Sequence, residues 1–163
     1  MFGTDFLISA ILFIVIVFAS IELWNSASVK YSIGDSHELM QKKAISITDA
    51  LIKTGGSPNN WTNETVKLIG ISEKTVQVLN RKKLAEMKNI SYIDLRSIWG
   101  ISDYEVYLVF KNSTGNAITL DGELLEYGLK QSNQKNLIPF KRLVLINDSG
   151  NLISSVMILI IWR

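Results

Sequence analysis

Residues 6–21 read FLISAILFIVIVFASI, a run without a single charge. Asp5 precedes it, and Glu22, Leu23 and Trp24 follow. As an α-helix, Asp5 to Trp24 covers roughly 30 Å, the hydrocarbon thickness of a bilayer. The run is apolar on every side, so it asks for lipid or other apolar helices all around it. Beyond Lys30 the composition becomes that of an ordinary globular domain. The chain therefore divides into an N-terminal transmembrane or assembly helix, residues 1–33, and an exported α+β domain, residues 34–163.

Three roles for the helix compete. A cleaved secretory signal needs a basic stretch ahead of the apolar run, and MFGTD has none; Asn25-Ser26-Ala27 is a poor cleavage site. A plain single-pass anchor satisfies length and composition. An assembly helix also accounts for Asp5, because a carboxylate at the hydrocarbon edge is costly unless something pairs with it. The amino group of a neighbouring chain is such a partner; the alternative is a hydrated residue at headgroup level.

All 17 basic residues lie at or beyond Lys30, against 13 of the 15 acidic ones, so the chain from Lys30 onward carries a net charge of +4. The charges are scattered, with no basic patch that points to nucleic acid. There is no cysteine, hence no disulfide framework and no thiolate chemistry. Five Asn begin an N-x-S/T sequon: Asn60, Asn63, Asn89, Asn112 and Asn147. Chance supplies about two in a chain of this composition. N-linked glycosylation is one reading of the excess. The other is that Asn, Ser and Thr share turns and caps for conformational reasons.

Within the domain, Gly34 is expected to bend or break the first helix, and Asp35 with Glu38 reads as the capping box of a second. Met40, Ala44, Ile47 and Leu51 form its apolar stripe, and Gly55-Gly56 with Pro58 ends it. That amphipathic helix is expected to pack on an antiparallel sheet. Val66–Ile71 and Thr75–Leu79 are strand-like runs. Asn80 caps a short basic helix, 81–88. Ser91 caps another, with Asp94 at its third position, Ile90 and Leu95 as staple and Gly100 as stop. Tyr104–Phe110 alternates as a central strand, and 112–116 is a turn. Ala117–Tyr127 is one more strand or a loose excursion, and Gln131–Asn136 a polar loop. The final hairpin runs from Phe140 to Asn147 and from Leu152 to Trp162, joined by Asp148-Ser149-Gly150-Asn151. Its apolar end, VMILIIW, requires a place in mid-sheet, or an edge covered by another subunit.

Catalytic and metal-binding patterns are missing from the sequence. His37 is the only histidine, placed in the first turn of the second helix and more simply read as solvated than as base or ligand. Asp121, Glu123 and Glu126 form an acidic cluster without the alternating spacing of a calcium loop. No phosphate loop or nucleophile elbow occurs. The expectation is a protein that is not an enzyme and has no cofactor.

Thr4-Asp5-Phe6-Leu7-Ile8 opening a long apolar helix resembles archaeal type IV pilin-like proteins, which are exported on a class III signal peptide. The likeness continues loosely through 58–62, Val66–Gly70, Lys83-Leu84, Ser91-Tyr92, Leu95–Ile101, Tyr104–Phe110 and the final hairpin ending in Trp162. In such proteins a basic leader ending in a small residue precedes the mature chain, whose fifth residue is typically acidic. Counting Met1 as first places Asp5 there, whereas cleavage after Gly3 would put it second. The resemblance implies a pilin-like fold whose N-terminal helices pack in a filament core, with Asp5 and Phe6 at the assembly contact. It also implies other pilin subunits as partners, in a homo- or heteropolymer, and a single-pass stage in the cell membrane with the C-terminal domain outside. The expected function is a structural subunit, of the minor kind, in a surface filament used in adhesion. The alternative is a membrane-anchored ectodomain that binds a partner or supports the envelope without polymerising.

Overall fold

The computed structural model describes residues 3–73, 75–130 and 137–163, with backbone alone for 29–36. The chain divides into two units, Met1–Leu39 and Met40–Arg163. A single helix, α1, runs from Thr4 to Lys53 and contributes to both. The expected break at Gly34 does not occur, and Asp35 starts no new helix. One glycine costs about 1 kcal/mol in a helix interior. Each further residue of a growing helix adds a hydrogen bond, so a single weak position does not stop propagation. His37 consequently lies in mid-helix, not in a first turn.

In the second unit, the stripe read from the sequence is buried: Met40, Ala44, Ile47 and Leu51 lie in one core cluster with the sheet. Thr48 is buried beside them, and its hydroxyl donates to the Ala44 carbonyl at 2.9 Å, so no polar group is left unsatisfied there. Helix termini leave carbonyls without partners, and here the following chain supplies them. The amides of Thr54, Ile71 and Gln77 donate to the carbonyls of Ala50, Leu51 and Ile52 at 3.2, 3.1 and 2.9 Å. Trp61 is buried against this junction, its indole N–H reaching the Gly70 carbonyl at 2.9 Å.

That capping explains two departures from expectation. Residues 66–71 form no strand; Leu68 makes only an isolated bridge to Ser57. The backbone of this stretch is committed partly to the end of α1. The expected strand Thr75–Leu79 is reduced to β1, Val78–Asn80, because Gln77 takes a left-handed φ of 68°.

The next two helices follow their caps. Asn80 accepts from the Lys83 amide at the start of α2, Arg81–Lys88. Ser91 accepts from the Asp94 amide at the start of α3, Tyr92–Ile98, and Gly100, at φ 64°, ends it. Strand β2 is Glu105–Lys111. The stretch 117–127 resolves into β3 (Thr119–Leu120), β4 (Glu123–Leu124) and the start of β5 (Glu126–Gly128). The final hairpin is β6, Ile138–Asp148, and β7, Asn151–Trp162. Ser149 and Gly150 at its tip both have positive φ, 56° and 96°, as a two-residue turn between twisted strands requires. The expected loop 131–136 lies outside the described residues.

The five-stranded sheet has the order β1-β6-β7-β2-β5. It is mixed rather than antiparallel throughout, since β1 runs parallel to β6. β7 sits mid-sheet, as its apolar run demanded. Its inner residues Met157, Leu159 and Ile161 are fully buried with Val106, Leu108 and Phe110 of β2, whereas Val156, Ile158 and Ile160 on the other face are half-buried. The architecture is α+β.

Two truncations in one helix check this division of α1. Leu51→Ala is expected to destabilise the folded domain by about 2–5 kcal/mol. Ile14→Ala, at an exposed position, should stay within ~0.5 kcal/mol. Urea unfolding of the full chain in detergent, followed by tryptophan fluorescence, distinguishes them.

Candidate functional site: the apolar helix and the polar surface of the domain

From Thr4 to Ser28, α1 is long and apolar enough to cross a membrane, with a mean hydropathy of 2.7 and no burial against the rest of the chain. Twenty-five residues of helix extend about 37 Å, more than a bilayer core requires. The large side chains stand open: Phe13, Phe18 and Trp24 are 67, 65 and 76% exposed. Ser20 satisfies its hydroxyl inside the helix, donating to the Ile16 carbonyl at 2.8 Å, which removes most of its cost in an apolar surround. Asp5 is the acid of the first turn, where the positive end of the helix dipole favours a negative charge. Asp5 and Phe6 thus share the exposed first turn. This segment is a candidate membrane anchor or signal sequence.

The domain surface carries short charged networks that bind its elements together. The Arg81 guanidinium donates to both Asp148 and Asp121, joining the start of α2 to the tip of the β6–β7 hairpin and to the β3–β4 turn. The hydrogen bond to Asp148 is the main reason its proton is held more tightly than usual. Lys88 donates to Glu123 at 2.7 Å, and this pairing lowers the Glu123 carboxyl below its usual range. Tyr107 donates to Glu126 at 2.6 Å. The acidic cluster read from the sequence is therefore dispersed, each acid held by a different partner. Among the described residues no group of three or more His, Cys, Asp or Glu is arranged around a common point.

A second network fixes α3 against β2. The Tyr92 hydroxyl donates to Glu105 and accepts from the Val106 amide at 3.1 Å. Arg96 reaches the same carboxylate at 3.1 Å while its guanidinium lies 5.4 Å from the centre of the Tyr92 ring. No local pattern in the sequence points to these pairings, because the partners lie 9 to 67 residues apart.

The five sequons fall into two classes. Asn60, Asn63 and Asn89 are exposed. Asn112 and Asn147 are half-buried and act as turn residues. Asn112 accepts from the Asn116 amide at 2.9 Å, and Asn147 accepts from the Gly150 amide at 2.9 Å. Asn147 also donates its side-chain nitrogen to Glu73 at 3.0 Å.

No known protein family, curated protein or solved structure matches the chain.

Three tyrosines set the domain's behaviour in alkali. Burial, and then the bond to a carboxylate, push Tyr92 and Tyr107 up to about 12 from an ordinary 10.0. Burial also raises Tyr127, whose hydroxyl donates to the Leu84 carbonyl at 2.8 Å. A phenol that keeps its proton in the folded state, when the unfolded chain has already lost it, stabilises fully below pH 10. That contribution disappears as pH climbs through the folded value. Lys83, lowered by desolvation, works in the opposite direction. The net expectation is a urea midpoint that falls between about pH 10 and 12, with a shallower fall in Tyr107→Phe.

Proposed function

We propose that the chain is a structural subunit, of the minor kind, of an archaeal type IV pilus-like surface filament used in adhesion. The observation that carries this reading is the bare apolar surface from Thr4 to Ser28, led by an acid in its first turn. A helix apolar all round can leave a bilayer only if an equally apolar surround replaces the lipid, and a bundle of like helices provides one. Asp5 then meets an N-terminal amine or another polar group of the adjacent subunit and sets axial register. Phe6 packs at the same contact. The partners are other pilin subunits, with the membrane as host before assembly and the C-terminal domain outside the cell. The work is done by assembly, without catalysis or cofactor. A single-pass anchor bearing an ectodomain uses the same helix, but asks nothing of Asp5 beyond hydration at the headgroups and the helix dipole.

Asp5→Ala discriminates the two. In cells expressing the variant, the protein is expected to remain in the membrane fraction and to vanish from sheared filaments. Wild-type levels of the variant in sheared filaments would remove Asp5 from the assembly contact, and wild-type protein confined to membranes as monomers would leave only the anchor.

Glycans belong to the same reading, as a polar coat on an exposed domain. Attachment needs a free amide nitrogen, which favours Asn60, Asn63 and Asn89 and disfavours Asn147. Glycopeptide mass spectrometry of native protein should find modification among the first three and none at Asn147.

A further inference from the structure

The outer face of the sheet carries open apolar side chains of its own. Strand register places Lys141, Ile158, Val109 and Glu126 in one row across β6, β7, β2 and β5. Side chains on the opposite face of these strands fill the core, so this row faces away from α1. Its neighbours along β7, Val156 and Ile160, are half-buried, and Leu143 and Leu152 are 73 and 58% exposed. A groove of about 430 Å³ runs over Ile158, Ile160, Tyr107 and Val109, walled on the β5 side by Leu124 and Glu126. The 115–117 turn and Lys130 line its remaining sides, and the Val109 side chain at its floor is already buried. Open apolar side chains grouped beside a groove offer a partner a place to dock.

The charges at the two ends of the row say what fits. A lysine closes it on β6 and a glutamate closes it on β5, with half-buried Ile158 and buried Val109 between. Rotating a second copy by half a turn, about an axis parallel to the strands and lying between β7 and β2, reverses the row. Lys141 of each copy then faces Glu126 of the other, and Ile158 faces Val109. The same operation carries the protruding Leu143 of one copy towards the Leu124 side of the other's groove. Sheets stacked this way keep their strands nearly aligned, the usual geometry of two packed sheets. The contact is isologous and closes on itself. Within one copy the Lys141 ammonium has no acid partner among the described residues, whereas Glu126 holds the Tyr107 hydroxyl at 2.6 Å and lies 3.9 Å from Lys130. A lipid surface fits the row poorly, because the glutamate would be pressed against anionic headgroups.

We infer that the outer face of the β6–β7–β2–β5 sheet is a self-complementary interface, on which a second copy of this chain docks face to face with Lys141 opposite Glu126. Exposed Leu143 and Leu124, with half-buried Ile158 and Ile160, supply the affinity. The exposed ion pairs fix orientation, since rim charges govern partner choice more than strength. The inference is independent of the filament reading, because it uses no residue of the apolar helix.

The chain has no cysteine, so introduced thiols report unambiguously. Full-length protein in detergent carrying Lys141→Cys and Glu126→Cys together is treated with a bis-maleimide spanning about 10 Å, the separation of packed sheets. Covalent dimer is expected, at least tenfold more than from either single variant, whose like positions lie three strands further apart. Lys141→Glu should weaken dimerisation about tenfold, and adding Glu126→Lys should restore it. Circular dichroism confirms that each variant is folded, and Lys141→Glu with the crosslink suffices if the swap is not. Asp5→Ala should leave the crosslink unchanged, which separates failure here from failure of the filament reading. Equal crosslinking from single and double variants overturns the inference. So does binding to anionic vesicles that Lys141→Glu abolishes while double-variant crosslinking is absent; that result assigns the face to lipid.

Discussion

Everything in this molecule follows from one helix that has to satisfy two different surroundings. The residues of α1 from Met40 to Ile52 show one apolar side, and that side is consumed by the core of the domain. The residues from Thr4 to Ser28 are apolar on all sides and bury none of that surface within the chain. In water such a segment has no stable state of its own. It asks for an apolar environment, lipid or protein. The domain is free to fold without reference to that requirement, because its core begins only where the stripe narrows.

The domain then solves the ordinary problem of ending a long helix in a compact space. The last carbonyls of α1 are met by amides that arrive from Thr54, Ile71 and Gln77. Holding those amides in place requires the stretch after Pro58 to fold back under the helix. Trp61 locks it there, and β1 emerges parallel to β6 as a consequence of the direction in which that stretch returns. Arg81 finishes the arrangement by holding Asp148 and Asp121 together at the far end of the sheet. The domain is thus stabilised chiefly by burial, with the ion pairs at its rim setting geometry rather than supplying much free energy.

What was legible in the sequence is what is decided within a few residues. Asn80 and Ser91 cap their helices, Gly100 stops one, and Ser149-Gly150 turns the hairpin, all through contacts spanning four residues or fewer. The apolar stripe from Met40 to Leu51 was equally plain, because helical period is a local property. Gly34 misled because its cost is real but small beside the cooperativity of a long helix. Residues 66–71 misled for a different reason. Ile69 and Ile71 are fully buried, as their character demands, but strand pairing is a choice of partner, and the end of α1 had a prior claim on the Ile71 amide. The parallel β1–β6 pair and the Arg81 clamp were illegible because their partners lie some 67 residues apart. At the helix the sequence showed the surface itself, Asp5 and Phe6 included, but only the structure shows that the span from Thr4 to Ser28 is unburied among the described residues.

The two apolar surfaces left open after folding differ in ways that separate their occupants. The first is a cylinder without direction, its only charges at its ends, and lipid suits it as well as any protein does. The second is a sheet face whose strip is two strands wide and whose edges carry opposite charges in register. A fluid hydrocarbon cannot exploit that order, and a headgroup layer of one sign is repelled by half of it. Only a surface with the reverse arrangement uses both edges at once, and a second copy of the same face, turned about the strand direction, has that arrangement by construction. The helix selects for a class of solvent, whereas the sheet selects for a shape and a sign.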